Sequence, residues 1–208
     1  DYETAVQKIK RIIAKLYLKY PELLKGDVLT EYEKKQFQSV TPDMDDVTAQ
    51  SSLQDLCDYL TRYYNQKVII LLDEYDTPMQ EAYMGGYWDE FTSFIRSLFN
   101  STFKTNPYLE RAIMTGITRV SKDMSYPCQG YDLRPHQRAS SFESIFSDLN
   151  NLNVVTTTSE QYATCFGFTE TEVFQALDDF GLSPEQQMVK QWYDGFIFGS
   201  QKDIYNPW

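Results

Sequence analysis

Apolar residues recur every three or four positions in several stretches of the chain, which is the spacing of one face of an α-helix. These stretches predict helices at residues 4–20, 53–64, 87–104, 170–180 and 183–193, and a shorter, more polar helix at 28–39. Ser51 or Ser52 is placed to cap the helix at 53–64. Thr169 and Glu172 have the spacing of a capping box, and Gly181 is placed to end the helix that they begin.

Two continuous apolar runs predict β-strands. Val68–Leu72 is five consecutive apolar residues, which is typical of a strand buried on both faces of a parallel sheet. Arg111–Ile117 predicts a second buried strand, and the helix between the runs supplies the crossover that parallel strands need. Residues 153–158 predict a short strand and residues 196–205 a small hairpin. The chain is therefore expected to be an α/β protein, with a parallel sheet flanked by helices and a mainly helical C-terminal part.

Composition and charge narrow the possible partners and the compartment. The 208 residues are 42% hydrophobic and 15% aromatic, as in folded proteins, and the net charge of −11 argues against direct nucleic-acid binding. No apolar run approaches the roughly 18 residues of a membrane span, so no membrane association is expected. Cys57, Cys128 and Cys165 are widely spaced, which suits a reducing, cytoplasmic compartment. His136 is the only histidine, which disfavours a zinc site or a Cys–His catalytic pair.

The acidic pair after the first predicted strand is the main candidate for chemistry. Asp73 and Glu74 directly follow the apolar run, and ligands bind at the carboxyl ends of strands in open parallel sheets. The arrangement is that of a Walker B motif, in which the Asp binds Mg²⁺ and the Glu orients and deprotonates the attacking water. The alternative is a solvated acidic loop. Asp76 adds a third carboxylate, although an Asx-turn or N-cap role ahead of Pro78 is favoured for it.

Polar residues at the end of the second predicted strand would face the same edge of the sheet. Thr115 and Thr118 could bind the cofactor or position water, and Arg119 could stabilise charge on a transferring phosphoryl group. Equally, Arg119 could solvate the strand end or pair with an acid. The sequence has no phosphate-binding loop of the GxxxxGK[ST] type, because none of its nine glycines is followed by Lys.

Six blocks of the sequence, in the same order, resemble the AAA-ATPase-like family of predicted P-loop ATPases. The blocks are Val68–Tyr83, Asn106–Lys122, Glu143–Val154, Phe166–Val173, Trp192–Gly199 and Ile204–Trp208. Members of this family are often fused to a C-terminal nuclease domain of the PD-(D/E)XK type. The resemblance implies a partial P-loop-type sheet with Mg²⁺ and ATP as ligands. It also implies that Asp73 and Glu74 form the Walker B pair, and that Arg119 has a nucleotide-sensing or structural role.

The resemblance further implies how the chain is organised. Residues 1–158 would form a partial ATPase-like core, and residues 159–208 a helical lid-like segment. The Walker A strand and loop of the family would precede Asp1, so the chain is expected to be an internal fragment. Residues 123–142, which contain two prolines and no periodicity, form an irregular insertion beside the expected ligand edge.

Three functions are consistent with these features. The first is an ATPase module that binds Mg–ATP at the acidic pair and is weak or inactive without a phosphate-binding loop. The second is a non-catalytic module on a degenerate ATPase scaffold that binds a protein partner through exposed aromatic anchors. Its candidate anchors are Tyr126, Tyr131 and Phe142. The third and weakest is a polysaccharide hydrolase that pairs carboxylates from Asp73, Glu74 and Asp76, although sequence neighbours rarely face each other across a cleft.

Overall fold

The computed structural model describes residues 1–116, 149, 151–193 and 195–205 of the protein. The chain divides into two compact units, Asp1–Leu152 and Asn153–Trp208. Several predictions lie outside the described residues, namely those for Thr118, Arg119, Cys128, His136, the insertion at 123–142 and the anchors Tyr126, Tyr131 and Phe142. The core at 1–158 and the lid-like role of 159–208 stay predictions.

Within the described part of the first unit, the chain forms five α-helices. They are α1 (Tyr2–Tyr17), α2 (Glu31–Ser39), α3 (Asp46–Tyr64), α4 (Thr77–Gly85) and α5 (Trp88–Phe103). Four of them confirm helices that the sequence predicts, while α4 is additional. The predicted cap of α3 is wrong, because Asp45 caps the helix and accepts a hydrogen bond from the Thr48 amide at 2.7 Å. Ser52 lies inside α3 and is buried.

Two parallel strands, β1 (Val68–Leu72) and β2 (Leu109–Met114), form the sheet of the first unit. Leu72 pairs with Met114, so the two strands end together. The helices α4 and α5 make the connection between them. This confirms the α/β class and the parallel pairing that the two apolar runs predict.

The expectation that β1 is buried on both faces is wrong. Val68, Ile70 and Leu72 pack against the helical core, whereas Ile69 is 59% and Leu71 74% exposed. On β2, Ile113 is 52% exposed. Successive side chains of a strand point to opposite faces, and the core among the described residues covers only one face of this sheet. Among the residues described, the continuous apolar run therefore has one face packed and one face open.

The core of the first unit joins α1, α2 and α3 through one buried tyrosine. The Tyr17 hydroxyl donates a 2.6 Å hydrogen bond to the backbone carbonyl of Ser52, and its ring lies 4.7 Å from that of Phe37. Burial raises the pKa of Tyr17 well above its ordinary value. The hydroxyl therefore stays protonated and keeps donating to α3 across the range in which proteins fold.

The described part of the second unit combines two helices with a small antiparallel sheet. Its elements are β3 (Phe168–Thr169), α6 (Glu170–Asp179), α7 (Gln186–Tyr193), β4 (Phe196–Phe198) and β5 (Gln201–Tyr205), with a 3₁₀ turn at Ser183–Glu185. The strand order is β3-β5-β4, which confirms the predicted hairpin. The capping box of Thr169 and Glu172 at the start of α6 is also confirmed.

The strand predicted at residues 153–158 is wrong, because this stretch ends in a turn. The Thr156 amide donates to the Ser159 hydroxyl at 3.0 Å, and the Ser159 amide donates to the Thr156 carbonyl at 2.9 Å. Such local bonds compete with sheet formation in Thr- and Ser-rich segments.

Two further findings concern the helices and the cysteines. Of the helices that the structure describes, none is long and apolar enough to cross a membrane. Cys57, which is buried, and Cys165, which is exposed, are both free thiols.

Candidate functional site

The carboxyl ends of β1 and β2 form one edge of the sheet, and backbone hydrogen bonds extend their pairing beyond the strands. The Thr115 amide donates to the Leu72 carbonyl at 2.9 Å, and the Tyr75 amide donates to the Thr115 carbonyl at 3.1 Å. Thr115 is thus held between the residues that flank Asp73 and Glu74. The parallel topology therefore brings the end of β2 onto the acidic pair.

Asp73 and Thr115 are in direct contact at this edge. The Thr115 hydroxyl donates a hydrogen bond to Asp73 Oδ1, and the Glu74 amide donates to the same oxygen at 3.1 Å. Both side chains are exposed to solvent. Two residues that are 42 positions apart in sequence, and that sequence analysis assigns to the same ligand edge, are therefore joined in the structure.

Glu74 lies at the point where the chain turns away from the sheet. Its φ of 51° is in the left-handed region, which is uncommon for a residue other than glycine. The Glu74 carbonyl accepts a 3.2 Å hydrogen bond from the amide of Thr77, the first residue of α4. The turn leaves Glu74 exposed beside Asp73. Such strained conformations cluster at functional sites.

Asp76, two residues after Glu74, is a buried carboxylate with only 1% of its surface exposed. It occupies the N-cap position of α4, but its side chain makes no capping hydrogen bond, unlike the favoured sequence interpretation. Instead, the Gln80 side-chain amide donates to Asp76 Oδ2 at 3.1 Å. The reason is that the N-cap residue has helical backbone angles rather than the extended ones from which a cap reaches the helix amides.

Gly116 lets the end of β2 lie against Asp76. A Cβ atom at this position would be 2.6 Å from Asp76 Oδ1 and 2.8 Å from the Tyr75 ring. The sequence pattern alone did not predict this contact. The available signal was a glycine directly after the strand, which often marks a close approach of the backbone.

The donor atoms at the edge are of the kind that Mg²⁺ prefers. Asp73 offers a carboxylate and Thr115 a hydroxyl, which are hard oxygen ligands. Within the described ranges, no group of three His, Cys, Asp or Glu side chains could hold a metal ion. In phosphate chemistry, however, Mg²⁺ is usually held by one or two carboxylates and completed by water and phosphate oxygens. The residues present therefore fit a Mg²⁺ that arrives with a nucleotide.

Comparisons with known proteins agree with the resemblance of the sequence blocks. Residues 7–125 match the model of the AAA-ATPase-like family, which is described as "Predicted AAA-ATPase". This range includes β1, β2 and the edge residues from Asp73 to Gly116.

One curated relative is described as "Uncharacterized protein in vnfD 5'region" from Azotobacter chroococcum mcd 1. It is 26% identical over an alignment of 148 residues, and the match covers 68% of this chain and 23% of the relative. The chain thus spans about a quarter of the length of that protein. No solved structure matches the chain significantly. The family match covers more than half of the chain, and the protein belongs to the AAA-ATPase-like family.

Proposed function

We propose that the chain contributes the metal-binding part of an ATP-hydrolysing site at the edge formed by β1 and β2. The observation that carries this proposal is the hydrogen bond from Thr115 to Asp73 at the carboxyl ends of two parallel strands, in a member of a family of predicted ATPases. Asp73 would hold Mg²⁺, and Thr115 would keep the Asp73 carboxylate in one orientation. A bound Mg²⁺ would neutralise charge on the nucleotide phosphates.

Glu74 is proposed as the residue that orients the attacking water and accepts its proton. Its exposure next to Asp73 and its position on a strained turn support this role. We also propose that Thr118 binds the cofactor and that Arg119 stabilises charge on the transferring phosphoryl group. These two roles rest on the sequence pattern alone.

The phosphate-binding loop is proposed to come from a segment outside this sequence. The open face of the sheet supports this idea, because the exposed Ile69, Leu71 and Ile113 lie on the face that continues, by strand alternation, to Asp73 and Thr115. A segment that covers this apolar face would end beside the acidic edge. Without such a segment, Mg–ATP binding is expected to be weak.

The polysaccharide hydrolase is less well supported. Two catalytic carboxylates must face a substrate across a cleft, whereas Asp76 is buried and bonded to Gln80. The non-catalytic interaction module stays open as the second candidate.

The test is Glu74→Gln in the full-length natural protein, with steady-state ATP turnover as the readout. Removing the proton acceptor should lower kcat by about 100-fold or more while Mg–ATP still binds. Glu110→Gln is the matched control, because Glu110 is an exposed acid on β2 away from the edge. Unchanged turnover in Glu74→Gln would refute the assignment of Glu74. A natural protein without ATPase activity would favour the interaction module.

A further inference from the structure

The helix α6 carries an open apolar groove in the second unit. Neither α6 nor α7 has a buried residue among the residues described. One face of α6 and the adjoining residues nevertheless line an open concavity of about 400 Å³. Its apolar lining is Phe168, Val173, Ala176, Leu177, Phe180 and Leu182. We call this concavity the α6 groove. Phe180, at its end, is 82% exposed.

The α6 groove is bordered by acidic side chains. Glu172 lines it, and Asp179 lies seven residues further along α6, which is two helical turns on the same side of the helix. Hydrogen bonds from the backbone and hydroxyl of Thr169 lower the pKa of Glu172, so this carboxylate is charged at neutral pH.

The surroundings of the groove are also acidic. Residues 153–208 contain eight acidic residues and two lysines. One of these lysines, Lys190, makes ion pairs with Glu170 and Asp203. An apolar floor with an acidic edge favours a ligand that is apolar on one face and basic beside it.

We infer that the α6 groove binds an amphipathic helix of a partner protein, with apolar anchors at helical spacing and Lys or Arg along one edge. The anchors would cover Phe180 and Leu182, and cations two turns apart would meet Glu172 and Asp179. Laying the apolar face of a helix into an apolar groove is a common mode of peptide recognition.

A second copy of the chain is a poorer occupant for this groove. In a symmetric dimer the same patch meets itself, so the acidic edges of the two grooves would be brought together. Like charges placed opposite each other across an interface are unfavourable. The charge of the groove therefore favours a basic partner of different sequence.

The test is fluorescence anisotropy with a labelled helical peptide of roughly 16 residues built from Leu, Ala and Lys. A matched peptide carries Glu in place of Lys. The Lys peptide should bind at least about tenfold more tightly than the Glu peptide. Phe180→Ser should weaken binding by more than about tenfold, because it removes the most exposed aromatic anchor. Trp192→Ser is the control, since Trp192 is a comparably exposed aromatic residue on α7, at 79%.

A charge-reversal pair separates specific docking from general attraction to an acidic protein. Asp179→Lys should weaken binding of the Lys peptide and strengthen binding of the Glu peptide. Asp178→Lys makes the same charge change beside a different concavity of α6 and should alter neither affinity by more than about twofold. Circular dichroism checks that each variant remains folded.

Three results would overturn the inference. They are absence of Lys-peptide binding, equal binding of the two peptides, and equal effects of Asp179→Lys and Asp178→Lys. A fourth result would come from analytical sedimentation. If the unaltered chain formed a dimer and Phe180→Ser made it a monomer, the groove would be assigned to a second copy of the chain.

Discussion

At the scale of single residues, the site depends on contacts that need particular side chains. Asp73 is oriented by the Thr115 hydroxyl and by the Glu74 amide, and Asp76 is buried two residues after Glu74. Gly116 is the residue that allows the second strand to approach this carboxylate. The sequence places Asp73 and Thr115 at one edge, because strand ends can be recognised locally. It could not show the approach of Gly116 to Asp76, because that distance depends on how the two chain segments pack.

We expect Gly116→Ala to destabilise the protein. The added methyl group would lie 2.6 Å from Asp76 Oδ1, so the backbone or the buried carboxylate must move, at a cost of about 1–3 kcal/mol. Urea denaturation measures the free energy of unfolding. Gly26→Ala is the control, because the nearest atom to its added Cβ would be 4.0 Å away. If both variants lost the same stability, the close approach at Gly116 would be contradicted.

At the scale of elements, the hydrophobic pattern identified most helices and strands. It did not show which of their faces are packed against other elements. The run Val68–Leu72 forms the predicted strand, yet only alternate residues of it are packed. An apolar run shows that a strand can be buried on both faces. Whether it is buried depends on the number of layers that the chain places around it.

Two adjacent isoleucines in β1 test this one-sided packing. Ile70→Thr should lower the free energy of unfolding by about 1–2 kcal/mol, because Ile70 packs against the core. Ile69→Thr should change it by less than about 0.5 kcal/mol, because Ile69 is largely exposed. Chemical denaturation of the two variants is the measurement. Equal losses would mean that both faces of the strand are covered.

The link between α2 and α3 should weaken in acid. Arg62 Nη2 lies 2.7 Å from Glu33 Oε1, and the Thr30 amide donates to Glu33 Oε2 at 2.7 Å. Both bonds lower the pKa of Glu33 below its ordinary value of 4.5, and the bond from Arg62 has the larger effect. Folding therefore favours the ionised form, so the stabilisation is complete above about pH 4.5 and is lost as the pH falls through the lowered pKa.

Glu33→Gln tests this pH dependence. The wild type should exceed this variant in stability by about 1 kcal/mol at pH 7, and the difference should shrink as the pH is lowered toward 3. Urea denaturation at several pH values follows the difference. Glu31→Gln is the control, because Glu31 makes an exposed ion pair within α2. A difference for Glu33→Gln that does not change with pH would show that its charge is not involved.

At the scale of the whole molecule, the chain forms two compact units, and the proposed Mg²⁺ edge at Asp73 and Thr115 lies in the first of them. The family match covers residues 7–125, and the chain spans about a quarter of its curated relative. A nucleotide site normally combines a metal edge with a loop that binds phosphates. The proposed metal edge at Asp73 would supply the first of these features, whereas the sequence lacks the GxxxxGK[ST] pattern of the second.

We expect this chain alone to bind Mg–ATP weakly, with a Kd of about 1 mM or higher. Each missing charge-assisted hydrogen bond to phosphate removes about 1.5–3 kcal/mol of binding free energy. Isothermal titration calorimetry with Mg–ATP measures the affinity, and a titration with Asp73→Asn is the control for binding at the proposed edge. Micromolar affinity for the unaltered chain would refute the proposal that the phosphate-binding loop lies elsewhere.

Local sequence was enough to identify every α-helix described except α4, as well as the two parallel strands and the position of the acidic pair at the end of β1. Periodicity, strand-forming runs and capping residues act over a few neighbouring positions, so they can be recognised without knowing the fold. The open face of β1, the burial of Asp76 beside Gly116 and the contact of Thr115 with Asp73 were decided by tertiary structure. Each of these depends on which distant segments meet, because burial and close approach are properties of the packed chain rather than of any short stretch of it.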